Sequence, residues 1–233
     1  MRKLSFEIVK RVSILSALIL LLSSGRLAAQ NFSFGVFADP GISWFSSNTN
    51  LTQSKGAVAG FNFGFTFNKY FSTNYAFSTG LTISSGGGKL SNPDTIYMDV
   101  KNYPLPVKVP PGQLVTYRVR YLCVPIGLKF KSKQIGYITF FTDIGIDPKV
   151  IIGGQADIPS LKIKGEGAID ELNTFNLSYH ILTGIEYSLG GSTAVVFGLG
   201  YDNNFLDVTK DINNQPSDMV TQNIIKFRIG LNF

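Results

Sequence analysis

The feature that most constrains this chain is a two-residue alternation of apolar with small or polar side chains, repeated in segment after segment beyond residue 30. Successive side chains of an extended strand point to opposite faces, so such alternation builds a sheet with two unlike faces. Phe61, Phe63, Phe65 and Phe67 alternate with Asn62, Gly64 and Thr66. Ile138, Phe140, Thr142, Ile144 and Ile146 stand opposite Thr139, Asp143 and Asp147. Phe32 to Val36, Tyr75 to Ile83, Phe175 to Tyr187, Val195 to Tyr201 and Ile225 to Phe233 repeat the pattern. Residues 114–130 form one further strand, with a parity break near Tyr121-Leu122 that reads as a β-bulge. No segment of this region carries a convincing helical period.

The strands number eight, and their connections alternate in length. Residues 68–74, 131–135 and 188–193 make short joins, whereas 46–56, 85–113, 148–174 and 204–222 make long ones. An up-and-down barrel with one end of turns and one end of loops has this arrangement. Outer-membrane barrels put short turns on the periplasmic side and long loops outside. The expected fold is therefore all-β: an eight-stranded up-and-down antiparallel transmembrane β-barrel over residues 30–233.

Alternation alone also fits a soluble barrel. The less apolar face separates the two. In water that face should be roughly 25–35% charged, yet here it is mostly Gly, Ser, Thr, Ala and Asn, and the whole chain is only 15% charged. Small side chains suit the narrow lumen of a small barrel. The Phe-rich face is thus assigned to lipid, with Tyr75, Tyr187 and Tyr201 at strand ends as interfacial aromatics.

Residues 1–29 have a basic start, an apolar run from Val12 to Leu22 and small residues before Gln30. That order is a cleavable signal peptide, and a run of about 11 residues is too short for a spanning helix of ~20. No Cys follows the run, so the exported chain is expected to lack a lipid anchor. The segment also explains the net charge of +6, because it holds five of the 21 basic residues and one of the 15 acidic ones. The remainder carries +2, and no basic patch remains for a nucleic-acid partner. A single Cys (Cys123) and a single His (His180) exclude an internal disulfide and a Cys/His metal cluster, so no metal, cofactor or catalytic set is expected.

By parity Asp39, Asp143, His180, Glu186, Lys226 and Arg228 face the lumen. The first and last strands are neighbours in a closed barrel, which brings Asp39 within reach of Lys226 or Arg228. Charges in a low-dielectric interior pair or leave an uncompensated cost, so these six are read as a polar network filling the lumen. A gate made of rearranging pairs is the sharper alternative. Ser178, His180 and Glu186 superficially suggest a hydrolase, but six residues along one strand separate Glu186 from His180 by about 20 Å. The residues 86–89 lack the Ser/Thr and helix of a phosphate loop and read as a flexible loop start. The prolines of the second loop make it semi-rigid and extended. Glu166, Asp170, Glu171, Asp207, Asp211 and Asp218 fit no calcium-loop spacing and read as solvated loop charges.

The closing residues, from Ile225 to the terminal Phe233, resemble the C-terminal strand that the outer-membrane barrel-assembly machinery recognises. With residues 32–45, 121–129 and 183–187, the chain resembles the small porin-like barrels of Bacteroidota-type bacteria, the PorT-like family. The resemblance implies an outer-membrane location in a Gram-negative envelope, with lipid and lipopolysaccharide as surroundings. It carries no catalytic motif. The expected role is non-enzymatic, through the long loops, in envelope stability, adhesion or recognition. The alternatives are a narrow porin-like channel for small solutes and an accessory component of a protein secretion machine.

Overall fold

The computed structural model describes residues 31–49, 51–212 and 217–233. The expected signal peptide, residues 1–29, lies outside them. The described residues form the strands β1 (Phe32–Ser47), β2 (Gln53–Gly56), β3 (Val58–Ser72), β4 (Tyr75–Ser91), β5 (Ile96–Met98), β6 (Val107–Val109), β7 (Leu114–Cys123), β8 (Ile126–Lys131), β9 (Ile138–Ile158), β10 (Ile163–Gly167), β11 (Phe175–Gly190), β12 (Thr193–Asn204) and β13 (Val220–Asn232). Eight wall strands run in the order β1, β3, β4, β7 continued by β8, β9, β11, β12 and β13, and β13 pairs back to β1. The closing seam is antiparallel, with Val36 opposite Leu231 and Gly41 opposite Lys226. Phe34 and the terminal Phe233 exchange main-chain hydrogen bonds of 3.1 and 2.7 Å. Among the described residues no wall strand is left without a partner on either side.

The faces sort by parity. Phe61, Phe63, Phe65 and Phe67 are 49%, 46%, 41% and 40% exposed, while the intervening Asn62 is 2% exposed. An exposed row of four phenylalanines beside a buried asparagine inverts the order expected in water. Lipid is the solvent that reconciles the two. Near the turns, Tyr75 stacks with Phe71 and meets Phe130 edge-on, and Tyr187 meets Tyr137. At the loop end Tyr179, Tyr201 and Phe205 cluster in the same way.

The structure corrects the reading of residues 114–130. Odd positions face inward without interruption, from Val115, Tyr117, Val119, Tyr121 and Cys123 to Lys129. The side-chain chemistry is what changes. Toward the turns the outward positions are Val124, Ile126, Leu128 and Phe130; toward the loops they are Arg120 and Arg118. The strand leaves hydrocarbon for water between Leu122 and Arg120, and its binary pattern inverts there. The bulge belongs to the partner strand: Arg120 pairs with Gly153 and Tyr121 with Ile151, so Ile152 is the extra residue. From Leu122 to Phe130, strand rise and the usual tilt give an apolar height of about 20 Å, close to the ~25 Å band of such barrels.

Beyond the inversion the wall continues as a water-exposed rim with its own apolar core. β4 extends to Ser91 and β9 to Ile158, so residues 85–91 and 148–158, expected as loops, are strand. Phe45, Leu90, Ile96, Met98, Val115, Tyr117, Ile158, Leu172, Val208 and Val220 are among the residues packed inside this rim. The proline-bearing segment folds inward as the β5–β6 hairpin rather than extending. The stretch 86–89, three glycines and Lys89, lies within β4, not in a flexible loop. Gly87 has φ +146°, and a Cβ on Gly88 would stand 2.7 Å from the Phe45 nitrogen and 2.8 Å from its ring. Glycine at 88 makes room for Phe45 against β4, and glycine at 87 spares a clash with the Tyr117 carbonyl.

Phe45→Ala should therefore destabilise the full chain in lipid vesicles by about 3–5 kcal/mol in denaturant unfolding. Gly88→Val should cost about 1–3 kcal/mol by overpacking the same contact. Unchanged midpoints for both would mean that this apolar cap over the lumen contributes nothing to stability.

Candidate functional site

The lumen is where the chain gathers its chemistry, and β9, β11 and β13 supply most of it at every second position. Nearest the turns, Glu186 on β11 accepts hydrogen bonds from Lys129 at 2.6 Å and Asn232 at 2.8 Å, and pairs with Lys131 at 2.6 Å. Above it, Phe141, Leu182 and Val196 form a small apolar layer, with the Lys129 ammonium 4.7 Å from the centre of the Phe141 ring. The seam strands then bring Asp39 and Arg228 into a bidentate pair, Nε to Oδ1 at 2.9 Å and Nη2 to Oδ2 at 2.7 Å. The guanidinium lies 3.7 Å over the Phe37 ring, so both its edge and its face are used.

The single histidine is seated by a gap in the neighbouring strand. Gly145 pairs with His180, and a Cβ on Gly145 would lie 2.8 Å from the imidazole Cε1. Asp143 and Asp147 flank Gly145 on the same inward face, two residues to either side. The ring therefore lies between two carboxylates. Nδ1 meets Asp147 Oδ1 at 2.8 Å, and Nε2 faces Asp143 Oδ1 at 3.6 Å. Ser78 donates to Asp143 at 2.8 Å and Ser178 to Asp147 at 3.3 Å.

Lys226 pairs with Asp202 at 2.7 Å, not with Asp39. Lys149, 4% exposed, donates to Asn204 at 2.6 Å and stands 5.2 Å over the Tyr121 ring. A cavity of about 40 Å³ remains among Asp143, Asp147, Lys149, Asp202 and Lys226, about the room of two or three waters. Gln222, Ser43 and the Gly87 carbonyl then link β13, β1 and β4 at 2.9 and 2.7 Å beneath the apolar cap. Among the described residues no group of His, Cys, Asp and Glu is disposed to hold a metal ion.

All six residues expected in the lumen face it, and they fall into four groups. Glu186 belongs to the turn-side lysines, Asp39 to Arg228, Asp143 to His180, and Lys226 to Asp202. Parity reasoning passed over Lys129, Asp147, Lys149 and Asp202. Asp147 and Asp202 carried the same inward parity as the others. Lys129 lay beyond the supposed parity break, and Lys149 lay in a segment read as loop.

Two loop acids are corrected as well. Glu171 is 1% exposed, and its carboxylate accepts the Asp99 N–H at 2.6 Å. Asp207 accepts hydrogen bonds from the Thr209 N–H and hydroxyl and the Val220 N–H. Burial lifts the Asp207 carboxyl above its ordinary range, against the opposing pull of those bonds. Burial likewise raises the Tyr117 phenol, whose hydroxyl faces Met98 Sδ at 3.7 Å. These groups tie the apolar core of the rim together, Glu171 and Tyr117 buried and Asp207 half-buried.

Known proteins match this architecture. A family model described as outer membrane protein beta-barrel domain matches residues 28–222. No curated protein matches in sequence. Among solved structures, neisserial surface protein A is similar at 12% identity and TM-score 0.45, covering 85% of this chain and 95% of its own. The outer membrane protein OprG from Pseudomonas aeruginosa is similar at 12% identity and TM-score 0.42, with 87% and 94% covered. The attachment invasion locus protein Ail of Yersinia pestis, in complex with the heparin analogue sucrose octasulfate, is similar at 10% identity and TM-score 0.41, with 87% and 99% covered.

Removing one partner of a buried ion pair strands the other charge. Asp39→Ala should cost the barrel about 3–5 kcal/mol in urea unfolding from lipid vesicles. Adding Arg228→Met should restore most of that stability. A double variant as unstable as the single one would show that the pair is not the relevant contact.

Proposed function

Because the chain belongs to the outer membrane protein beta-barrel domain family and resides in the outer membrane, we propose that it works through its loop end as a non-enzymatic surface barrel. On this reading it stabilises the envelope or recognises an external partner, and it conducts no solute. The observation that carries the reading is the double closure of the lumen. Paired charges fill mid-height, where the remaining cavity is about 40 Å³, and a packed apolar core fills the rim. A solute would have to break both.

Catalysis finds no purchase in the same site. Both imidazole nitrogens face carboxylates, and the Ser178 hydroxyl donates to Asp147 rather than to His180. A general base needs a free nitrogen aimed at its nucleophile. Within the family, the closing strand and residues 121–129 favour the PorT-like barrels. Co-purification of a stable secretion complex with the full chain would move the assignment to an accessory role in export.

Planar bilayers containing the full chain should show no conductance steps above the lipid background, and envelope permeability to small solutes should not fall on gene deletion. Reproducible single-channel steps would replace this reading with a channel. Peptide or lipid hydrolysis lost in His180→Ala would replace it with an enzyme.

A further inference from the structure

The near-balanced charge of the exported region conceals one local imbalance on the outside of the wall. An open groove of about 510 Å³ is lined by Ser85, Lys101, Asn102, Arg118, Arg120 and Gln155, over a floor that includes Gly86, Gly153 and Gly154. Strand register builds it. Ser85, Arg120 and Gly153 stand in one row of β4, β7 and β9; Gly87, Arg118 and Gln155 stand in the next. The two arginines thus project from the same face about 7 Å apart, with glycine or serine on most flanking positions. Lys101 arrives from the β5–β6 hairpin, anchored by its N–H to the Gly167 carbonyl at 2.8 Å.

The charges in the groove are unequally satisfied. Arg118 pairs with Asp157, which occupies one of its two terminal nitrogens. Glu166, the acid of the lining, accepts the Asn102 amide at 2.5 Å. Arg120 is exposed and makes no ion pair among the described residues, and the same holds for the Lys101 ammonium. Arginine forks match phosphate oxygens in pairs, and a lysine adds a point charge.

The height of the groove selects the ligand. Arg120 is the first charged outward position after the apolar run of β8 and β7, and Ile83 and Phe61 end the apolar faces of β4 and β3 beside it. A headgroup in the groove therefore has hydrocarbon wall directly beneath it for its acyl chains. The short turns face the periplasm, so the groove stands at the headgroup level of the outer leaflet.

We propose that the groove binds the phosphate-bearing headgroup of an outer-leaflet glycolipid, with Arg118 and Arg120 as forked donors and Lys101 as the third cation. This site lies on the outer wall just above the hydrocarbon, apart from the lumen and the loop tips, and it stands or falls separately from the role proposed above.

The test is native mass spectrometry of the full chain in detergent, titrated with bis-phosphorylated lipid A, with lipid A stripped of phosphate, and with inorganic phosphate. Phosphorylated lipid A should bind about tenfold or more tightly than the stripped form. Arg120→Gln should remove about tenfold of that affinity, the Arg118→Gln/Arg120→Gln pair should abolish the preference, and Arg120→Lys should keep part of it. Both positions are exposed, and unchanged heat-modifiable gel mobility will show that the variants fold. Equal binding of the two lipid A forms, or variants that bind like the parent chain, would overturn the proposal. Saturation by inorganic phosphate without lipid A binding would overturn it too, because the source would then be a free anion.

Discussion

In hydrocarbon an unpaired backbone N–H or C=O costs several kcal/mol, because no water can take its place. The pairing of β13 with β1 is the consequence on which the other features depend. Once the sheet closes on itself, one face of every strand must meet lipid and the other must meet an interior only wide enough for side chains. The exposed phenylalanines and the buried Asn62, Asp39 and His180 are two sides of that single requirement. A soluble protein with the same pairing would need the opposite distribution.

The same requirement stops where the lipid stops. Above Leu122 the outer face meets water and the inner face no longer needs polar groups, so Arg118 and Arg120 turn outward while Tyr117 and Val119 turn inward. The strands themselves do not break. A barrel of this kind has two interiors in series, one polar and held by charge pairs, one apolar and packed as in a soluble domain. The polar interior tolerates its charges because most are paired: Arg228 by Asp39 and Phe37, Lys226 by Asp202, Glu186 by two lysines, while Lys149 is held by Asn204 and the Tyr121 ring. The apolar one closes over them.

Much of this architecture was legible in the residues. Period-2 alternation located the eight wall strands, and inward parity placed Asp39, Asp143, His180, Glu186, Lys226 and Arg228 in the lumen. The misreadings share one physical cause. Parity was judged by which face was apolar, and that criterion reverses at the membrane boundary. An inversion within residues 114–130 therefore looked like a bulge, and the strand continuations 85–91 and 148–158 looked like loops. The true extra residue, Ile152, sits within residues 148–158, which read as loop by their sequence. Pairing choices were also out of reach. Whether Asp39 meets Lys226 or Arg228 depends on seam register and on the Phe37 ring beneath the guanidinium.

What the sequence by itself determined is the barrel, its two faces, its two unlike ends and its lipid surroundings, because a two-residue period and a deficit of charge are properties of a strand and its solvent. What only the tertiary structure decided is which charges meet, how the rim fills, and where Lys101 joins Arg118 and Arg120. Those depend on register between strands far apart in the chain, and on glycines such as Gly88 and Gly145 whose missing side chains make room for Phe45 and His180.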